Sequence, residues 1–324
     1  MALVLLYHRI ADLPSDPQRL AVSVRHFAEQ LEFISRRCHP MSLSSFADAA
    51  RRGSLPERAV AVTFDDGYAD NLERAKPLLE HHEVFATVFL ATSYLSGRRE
   101  FWWDDLERIL LSPGRVPTPL RLNIAGSVLE CDLGEVSEYR GDDSRRHANW
   151  NIEHRSDPTA RHRVYRRLCG VLRSLPAEER EAALLELSSV AEGIPDRRST
   201  HRTLAAAEIS TLIDGGLVEV GAHTVNHPVL SALPFDDQHA EIIESKAHLE
   251  AITGQTTHAF AYPFGMPADY TEATIGLVRD AGFVSAYSAK PGPLGKHSDR
   301  YNLPRLLVRD WDAVTFQAQL DRWL

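Results

Sequence analysis

Residues 59–67 read Ala-Val-Ala-Val-Thr-Phe-Asp-Asp-Gly. The first six are small, β-branched or aromatic, with Pro56 behind them and two carboxylates and a glycine ahead. That is the pattern of a short buried strand that stops at a turn. A strand without a polar face belongs in a parallel sheet covered on both sides. Outward from it, NLERAKPLLEHH (71–82) reads as a helix and ATVFLAT (86–92) as the next strand. Upstream, residues 3–7 form a first strand, and Phe27, Leu31 and Ile34 fall at helical spacing in RHFAEQLEFISRR. A second short helix spans 42–52 and closes at Gly53. Strands alternating with helices predict a parallel sheet with helices outside it.

The rhythm breaks after Ser96 and returns near Thr203. Between them, PLRLNIAGSVLECDL (119–133) predicts a hairpin turning at Ala125-Gly126, followed by a polar stretch (141–163) and two helical segments up to about 191. We read 97–202 as an insertion or lid within a single domain, 1–324, because the alternation then resumes. Helices are expected at 204–214, 236–252, 270–281 and from Val314, and strands at 217–223, 258–263, 283–289 and 303–308. The total is about seven strands.

Composition narrows the function classes. A formal charge of −9 and a pI near 5.9 argue against a nucleic-acid partner. Residues 2–6 are apolar, but no basic segment precedes them and no small-residue cleavage site follows, so an export signal is not expected. No stretch approaches the roughly 18 apolar residues of a transmembrane span. Cys38, Cys131 and Cys169 lie far apart, forming neither a disulfide framework nor a zinc knot. A soluble, cytoplasmic protein is the expectation.

Chemistry in α/β barrels collects at the carboxyl ends of the strands. Here those ends carry Tyr7-His8, Asp65-Asp66-Gly67, His223-Thr224 and Tyr262-Pro263-Phe264-Gly265. Two adjacent carboxylates at a buried strand end call for a counter-charge, of which a divalent cation is the simplest. The other reading has one Asp capping the following helix. His223 and His227, four apart, can meet on one face as metal ligands, or be two surface histidines. Two histidines and one aspartate make an open site with a position left for water or substrate. Pro263 and Gly265 favour a tight turn that either aims the Phe264 amide at a developing oxyanion or simply ends a strand. Arg305, early in the strand 303–308, needs a carboxylate partner if buried: either it orients Asp65 or it makes a structural salt bridge.

TFDDG (63–67), HTVNHP (223–228) and FAYPFG (260–265), in this order, resemble the signature motifs of the polysaccharide deacetylase family, which carries the NodB homology domain of carbohydrate esterase family 4. The resemblance spans about residues 1–96 and 203–310. It implies a distorted (β/α)7 barrel, here with a mid-chain insertion of a hairpin plus helices, and metal-dependent removal of N-acetyl groups from amino sugars. By motif position it implies Asp65 as general base, Asp66, His223 and His227 as metal ligands, and the Phe264 amide in the oxyanion hole. Two departures matter. The family's third motif supplies an arginine that orients the base, and Ala261 stands in its place; Arg305 is the candidate substitute. The family's Leu-x-His motif, source of the general acid, is missing from the last strand, which reads Leu303-Pro304-Arg305. Some members carry a circularly permuted order with that strand first. Leu6-Tyr7-His8 matches the permuted arrangement, which implies His8 as the acid.

The expected substrate is therefore an acetamido-sugar saccharide or glycoconjugate, and the expected cofactor one divalent ion, zinc (Zn2+) by ligand type. Rival readings keep the fold as a non-catalytic carbohydrate-binding protein, or keep the chemistry on another small amide. Phe101-Trp102-Trp103 either stacks sugar rings or starts a helix with buried aromatics.

Overall fold

Strand β1 (Ala2–Tyr7) points its side chains alternately into two apolar clusters. Ala2 and Val4 join Ala59, Ala61, Phe89 and Tyr287; Leu3, Leu5 and Tyr7 join Phe27, Leu31 and Ile34 of helix α1 (Val24–Arg37). The first set faces a barrel interior, the second the helical layer outside, as the two-residue period of a strand dictates. The computed structural model describes residues 1–295 and 298–324.

The remaining barrel strands are β2 (Ala59–Phe64), β3 (Ala86–Leu90), β4 (Val218–Ala222), β5 (Ala259–Ala261), β6 (Ser285–Tyr287) and β7 (Leu306–Leu307). They run β6-β5-β4-β3-β2-β1-β7, every pair parallel. Leu303 bridges Tyr287, so the chain entering β7 returns to β6 and the sheet curls back on itself. This is the distorted seven-stranded α/β barrel the sequence predicts.

The amino-terminal end of the barrel is plugged. A short strand, His39–Pro40, pairs with Ala59 and Val60 of β2, whereas β3 pairs only from Val62 onward. Helix α2 (Leu43–Arg52) follows, N-capped by Ser42 and stopped at left-handed Gly53, and places Leu43 and Phe46 in the interior cluster. Fully burying such side chains contributes about 1.5–3 kcal/mol each. The other end of the interior is polar. Continuing the alternation along β2, Thr63 and Asp65 follow Ala59 and Ala61, and on the last strand Arg305 follows Leu303. All three polar side chains are buried.

Two expected helices differ in detail. Residues 71–82 open with a π turn, Asn71–Ala75, before α3 (Lys76–His82). The helix expected over 204–214 shrinks to a 3-10 turn and Ile209–Ile213. Its first residues are spent on pairing: the Leu204 N–H donates to Gly67 O at 2.9 Å and Ala205 bridges Ser96.

By internal contacts the chain forms two units. The barrel comprises Met1–Asp12, Leu20–Gly97 and Thr203–Leu324; the second unit comprises Leu13–Arg19 and Arg98–Arg202. The second unit holds the helices Trp102–Leu110, Ala160–Leu172 and Ala177–Val190, and the hairpin Leu120–Ile124/Ser127–Cys131 turning at left-handed Ala125 and Gly126. The polar stretch contains one further turn of helix, Gly141–Arg146. Phe101, Trp102 and Trp103 are core residues here, with Phe101 stacked on Trp103 at 4.6 Å. Among the described residues no helix is long and apolar enough to cross a membrane.

Candidate active site

The register of β1 on β2 brings His8 and Asp65 to one level. Tyr7 pairs with Phe64, and the Asp65 N–H donates to Tyr7 O at 3.0 Å. Asp66 is buried and left-handed (φ 76°), so the chain turns sharply between the two carboxylates. Gly67 follows at φ 84°, a left-handed conformation strained for any residue with a Cβ; a Cβ there would lie 2.5 Å from Leu90 Cδ2, and that side chain would have to shift.

Arg305 holds Asp65. Its Nη1 donates to Asp65 Oδ1 and its Nη2 to Oδ2, both at 2.7 Å, with Nε on the Ser288 carbonyl at 2.9 Å and Nη1 also on Thr63 Oγ1 at 3.2 Å. Thr63 in turn donates to Leu5 O, so its hydroxyl oxygen is free to accept from the guanidinium. Burial alone would raise the Asp65 carboxyl. The Arg305 charge, with His223, outweighs burial and leaves it below the usual carboxylate range. A carboxylate offers about four acceptor positions, so a bidentate arginine still leaves lone pairs for a water proton.

Asp66, His223 and His227 converge on one point, with ligand atoms all within 4.8 Å of one another. His227 Nε2 lies 3.2 Å and His223 Nε2 3.6 Å from Asp66 Oδ1. His223 Nδ1 is 2.8 Å from the Ala261 carbonyl, which can only accept. The proton therefore sits on Nδ1 and the Nε2 lone pair faces Asp66, the orientation a metal-binding histidine takes. Burial lowers the basicity of His223, but Asp65 and Asp66 outweigh it and raise its pKa. Burial likewise opposes ionisation of Asp66, and the two imidazoles overcome it, holding the carboxyl far below its ordinary value. A field that favours a proton on Nε2 favours any cation there.

A divalent ion fits these residues. Asp66 Oδ2 is buried with no hydrogen-bond partner among the described residues, which costs free energy unless a cation or water satisfies it. With Arg305 neutralising one of the two aspartates, the site keeps one net negative charge and two imidazole nitrogens, a mixed N/O donor set.

The ligand loop is built locally. Thr224 donates to His223 O and accepts from the His227 N–H at 3.1 Å, and both Thr224 and His227 are left-handed. Glu241, on helix α4 (Phe235–Thr253), accepts from the Val225 and Asn226 backbones, each at 2.8 Å. Phe264, also left-handed, sets its ring 4.8 Å from the His227 ring. His8 completes the mouth. It feels the charges of Asp66 and Asp65, burial lowers its pKa, and its Nδ1 is buried without a hydrogen-bond partner among the described residues.

All seven residues singled out in the sequence thus belong to the barrel unit, and one constellation carries His8, Asp65, Asp66, His223, His227 and Arg305. Glu241 escaped the sequence reading, and Thr63 entered it only within TFDDG, with no role of its own. Glu241 sits on a helix with no motif, and only its helical position opposite the His223–His227 loop marks it.

Residues 52–114 and 194–286 match the model of the polysaccharide deacetylase family. The chain carries a polysaccharide deacetylase domain. Solved structures agree in fold over nearly the whole chain. The Streptococcus pyogenes deacetylase PplD, solved in complex with acetate, superposes with a TM-score of 0.60 at 17% identity, covering 98% of this chain and 96% of that one. IcaB from Ammonifex degensii gives 0.59 at 19% identity, over 99% and 96%. In sequence, the poly-β-1,6-N-acetyl-D-glucosamine N-deacetylase of Escherichia coli K12 is 33% identical over 76 residues, 23% of this chain and 11% of that protein. The putative polysaccharide deacetylase YxkH of Bacillus subtilis is 26% identical over 91 residues, 28% of this chain and 32% of that protein. The chain therefore matches a tenth to a third of the length of these curated relatives. Within this deacetylase domain Ala261 contributes a backbone carbonyl to His223 and no side chain to Asp65; the guanidinium comes from Arg305.

Proposed function

We propose that this deacetylase domain is a metal-dependent carbohydrate N-deacetylase that hydrolyses the acetamide of an amino sugar in a saccharide or glycoconjugate. The observation that carries the reading is the pairing at one barrel mouth of an arginine-locked carboxylate with an adjacent Asp-His-His set. Asp66, His223 and His227 would hold one divalent ion, zinc on the mixed N/O donor set. When bound, the ion supplies Lewis-acid polarisation of the acetyl carbonyl and acidifies the attacking water.

The chain's own groups do the rest. Asp65, ionised and oriented by Arg305, takes a proton from the water as it attacks the carbonyl carbon. The Phe264 amide is the candidate donor to the oxyanion. His8 gives a proton to the departing nitrogen, because an amine leaves and an amide anion does not. The C–N bond breaks, releasing acetate and a free amino sugar. The similar PplD structure was solved in complex with acetate, which supports this choice of product.

The test is acetate release from β-1,6-linked N-acetylglucosamine oligomers, chosen from the activity named for the Escherichia coli relative, with and without added metal. Asp65→Asn should retain the metal and lose about two to four decades in rate, the usual cost of removing a general base. Near-normal turnover in that variant would end the reading.

A further inference from the structure

Immediately after the Asp65-Asp66-Gly67 turn, the chain makes the π turn Asn71–Ala75. Short π segments recur where a helix must present a side chain out of its regular register. Two side chains at this one reach back to the extension of β1. Asn71 Nδ2 donates to the His8 carbonyl at 2.9 Å, and Asn71 is buried. Asp70 accepts the Ile10 N–H on Oδ1 and Arg9 Nε on Oδ2, each at 3.0 Å. Arg9 is itself buried, with its guanidinium 4.3 Å above the Tyr68 ring. Three consecutive residues of the β1 extension, His8, Arg9 and Ile10, are thus gripped by two consecutive residues of the segment that carries Asp65.

The geometry points to Asp70 and Asn71 as positioning residues that fix the distance between His8 and Asp65, the proton donor and proton acceptor of the proposed reaction. The inference rests on that reading of His8. Its physical basis is that the His8 ring Nδ1 is buried without a hydrogen-bond partner among the described residues, so the backbone must orient it. The Asn71 bond holds that backbone from one side and the β1–β2 ladder from the other. A misplacement of about 1 Å can cost two decades in rate.

Leaving-group dependence separates positioning from mere support of the fold. An acetamido sugar needs its nitrogen protonated; 4-nitrophenyl acetate carries the same acyl group on an oxygen that leaves without help. The enzyme loaded with metal is assayed on both, as wild type, Asn71→Ala, Asn71→Asp, His8→Ala and Asp65→Asn, with metal content measured in each. Asn71→Ala should lower kcat on the acetamide about 10- to 100-fold, a fraction of the full general-acid contribution, and change ester hydrolysis less than about threefold. Asn71→Asp keeps the volume and sets a carboxylate against the His8 carbonyl and Asp70, so it should show the same split at least as strongly. His8→Ala should show the full split, and Asp65→Asn should lose both activities. If His8→Ala shows no split, the acid reading falls regardless of Asn71. If His8→Ala splits and both Asn71 variants keep acetamide turnover, or lose both activities together with metal, the positioning role falls.

Discussion

Two buried clusters in this molecule satisfy the same geometric description: Asp66, His223 and His227 in the barrel, and Asp104, Glu107 and His201 in the second unit. Both are three-residue carboxylate–histidine sets shielded from water. They differ in where the arginine goes. In the second unit Arg198 donates to Glu107 at 2.9 Å and to Glu100 at 2.8 Å, and those carboxylates raise its pKa despite burial. Its cation is already inside the cluster. In the barrel, Arg305 is committed to Asp65, one residue away, and leaves Asp66 to two imidazoles. The placement of one guanidinium distinguishes a structural ion network from a site whose residues could hold a metal.

The sharpest way to break this contrast is metal stoichiometry. Purified protein should bind about one zinc equivalent, lost in Asp66→Ala and His223→Ala and retained in Glu107→Gln. Equal metal content in all four proteins would erase the distinction.

The two arginines come next. Arg305→Met removes the charge that keeps Asp65 low, and burial then raises the carboxyl. The acidic limb of the rate profile should therefore move to higher pH, with a loss of about two decades or more at neutral pH. An unmoved limb would detach Arg305 from Asp65. Arg198→Met should leave metal content unchanged and destabilise the protein by about 3–5 kcal/mol, the cost of uncompensated buried carboxylates. Urea unfolding measures it.

The smallest effect lies in the second unit's aromatic cluster. Burial, together with nearby His147, pushes His162 down to about 4. The folded ring is neutral where an unfolded chain, below about pH 6.5, takes up a proton. The stability from the neutral ring is complete above that value, drains as pH falls, and is gone near pH 4, about 3 kcal/mol at most. Thermal melts from pH 7 to 5 should show a smaller drop for His162→Gln than for the wild type.

How much was legible follows from the range of each interaction. Helix α2 shows its own ends, because Ser42 caps locally and Gly53 takes the left-handed stop. The motif loops are equally local: DDG turns on the left-handed Gly67, and the two histidines are joined by the Thr224 hydroxyl. The sequence shows that a buried Arg305 needs a carboxylate, but its contact with Asp65 spans 240 residues through a two-residue strand with no periodicity to read. The π turn at Asn71 was not legible at all. NLERAKPLLEHH carries good helical residues, and the departure comes from side chains bonding to strand backbone 60 residues earlier.

Four of the non-glycine residues in the left-handed region lie at the barrel mouth: Asp66, Thr224, His227 and Phe264. Each such conformation costs of order 1–3 kcal/mol and persists because the surroundings enforce it. Selection for heat resistance and selection for turnover should therefore pull these positions in opposite directions. A library screened only for survival of heating should accumulate glycine or asparagine at Thr224 and Phe264, where the backbone relaxes at once. The same variants should lose the ring beside His227 and the hydroxyl that closes its loop. A lineage kept under substrate pressure would hold the costly residues and recover its robustness elsewhere, in the α2 plug or the second unit, in elements that carry none of the residues it has to keep.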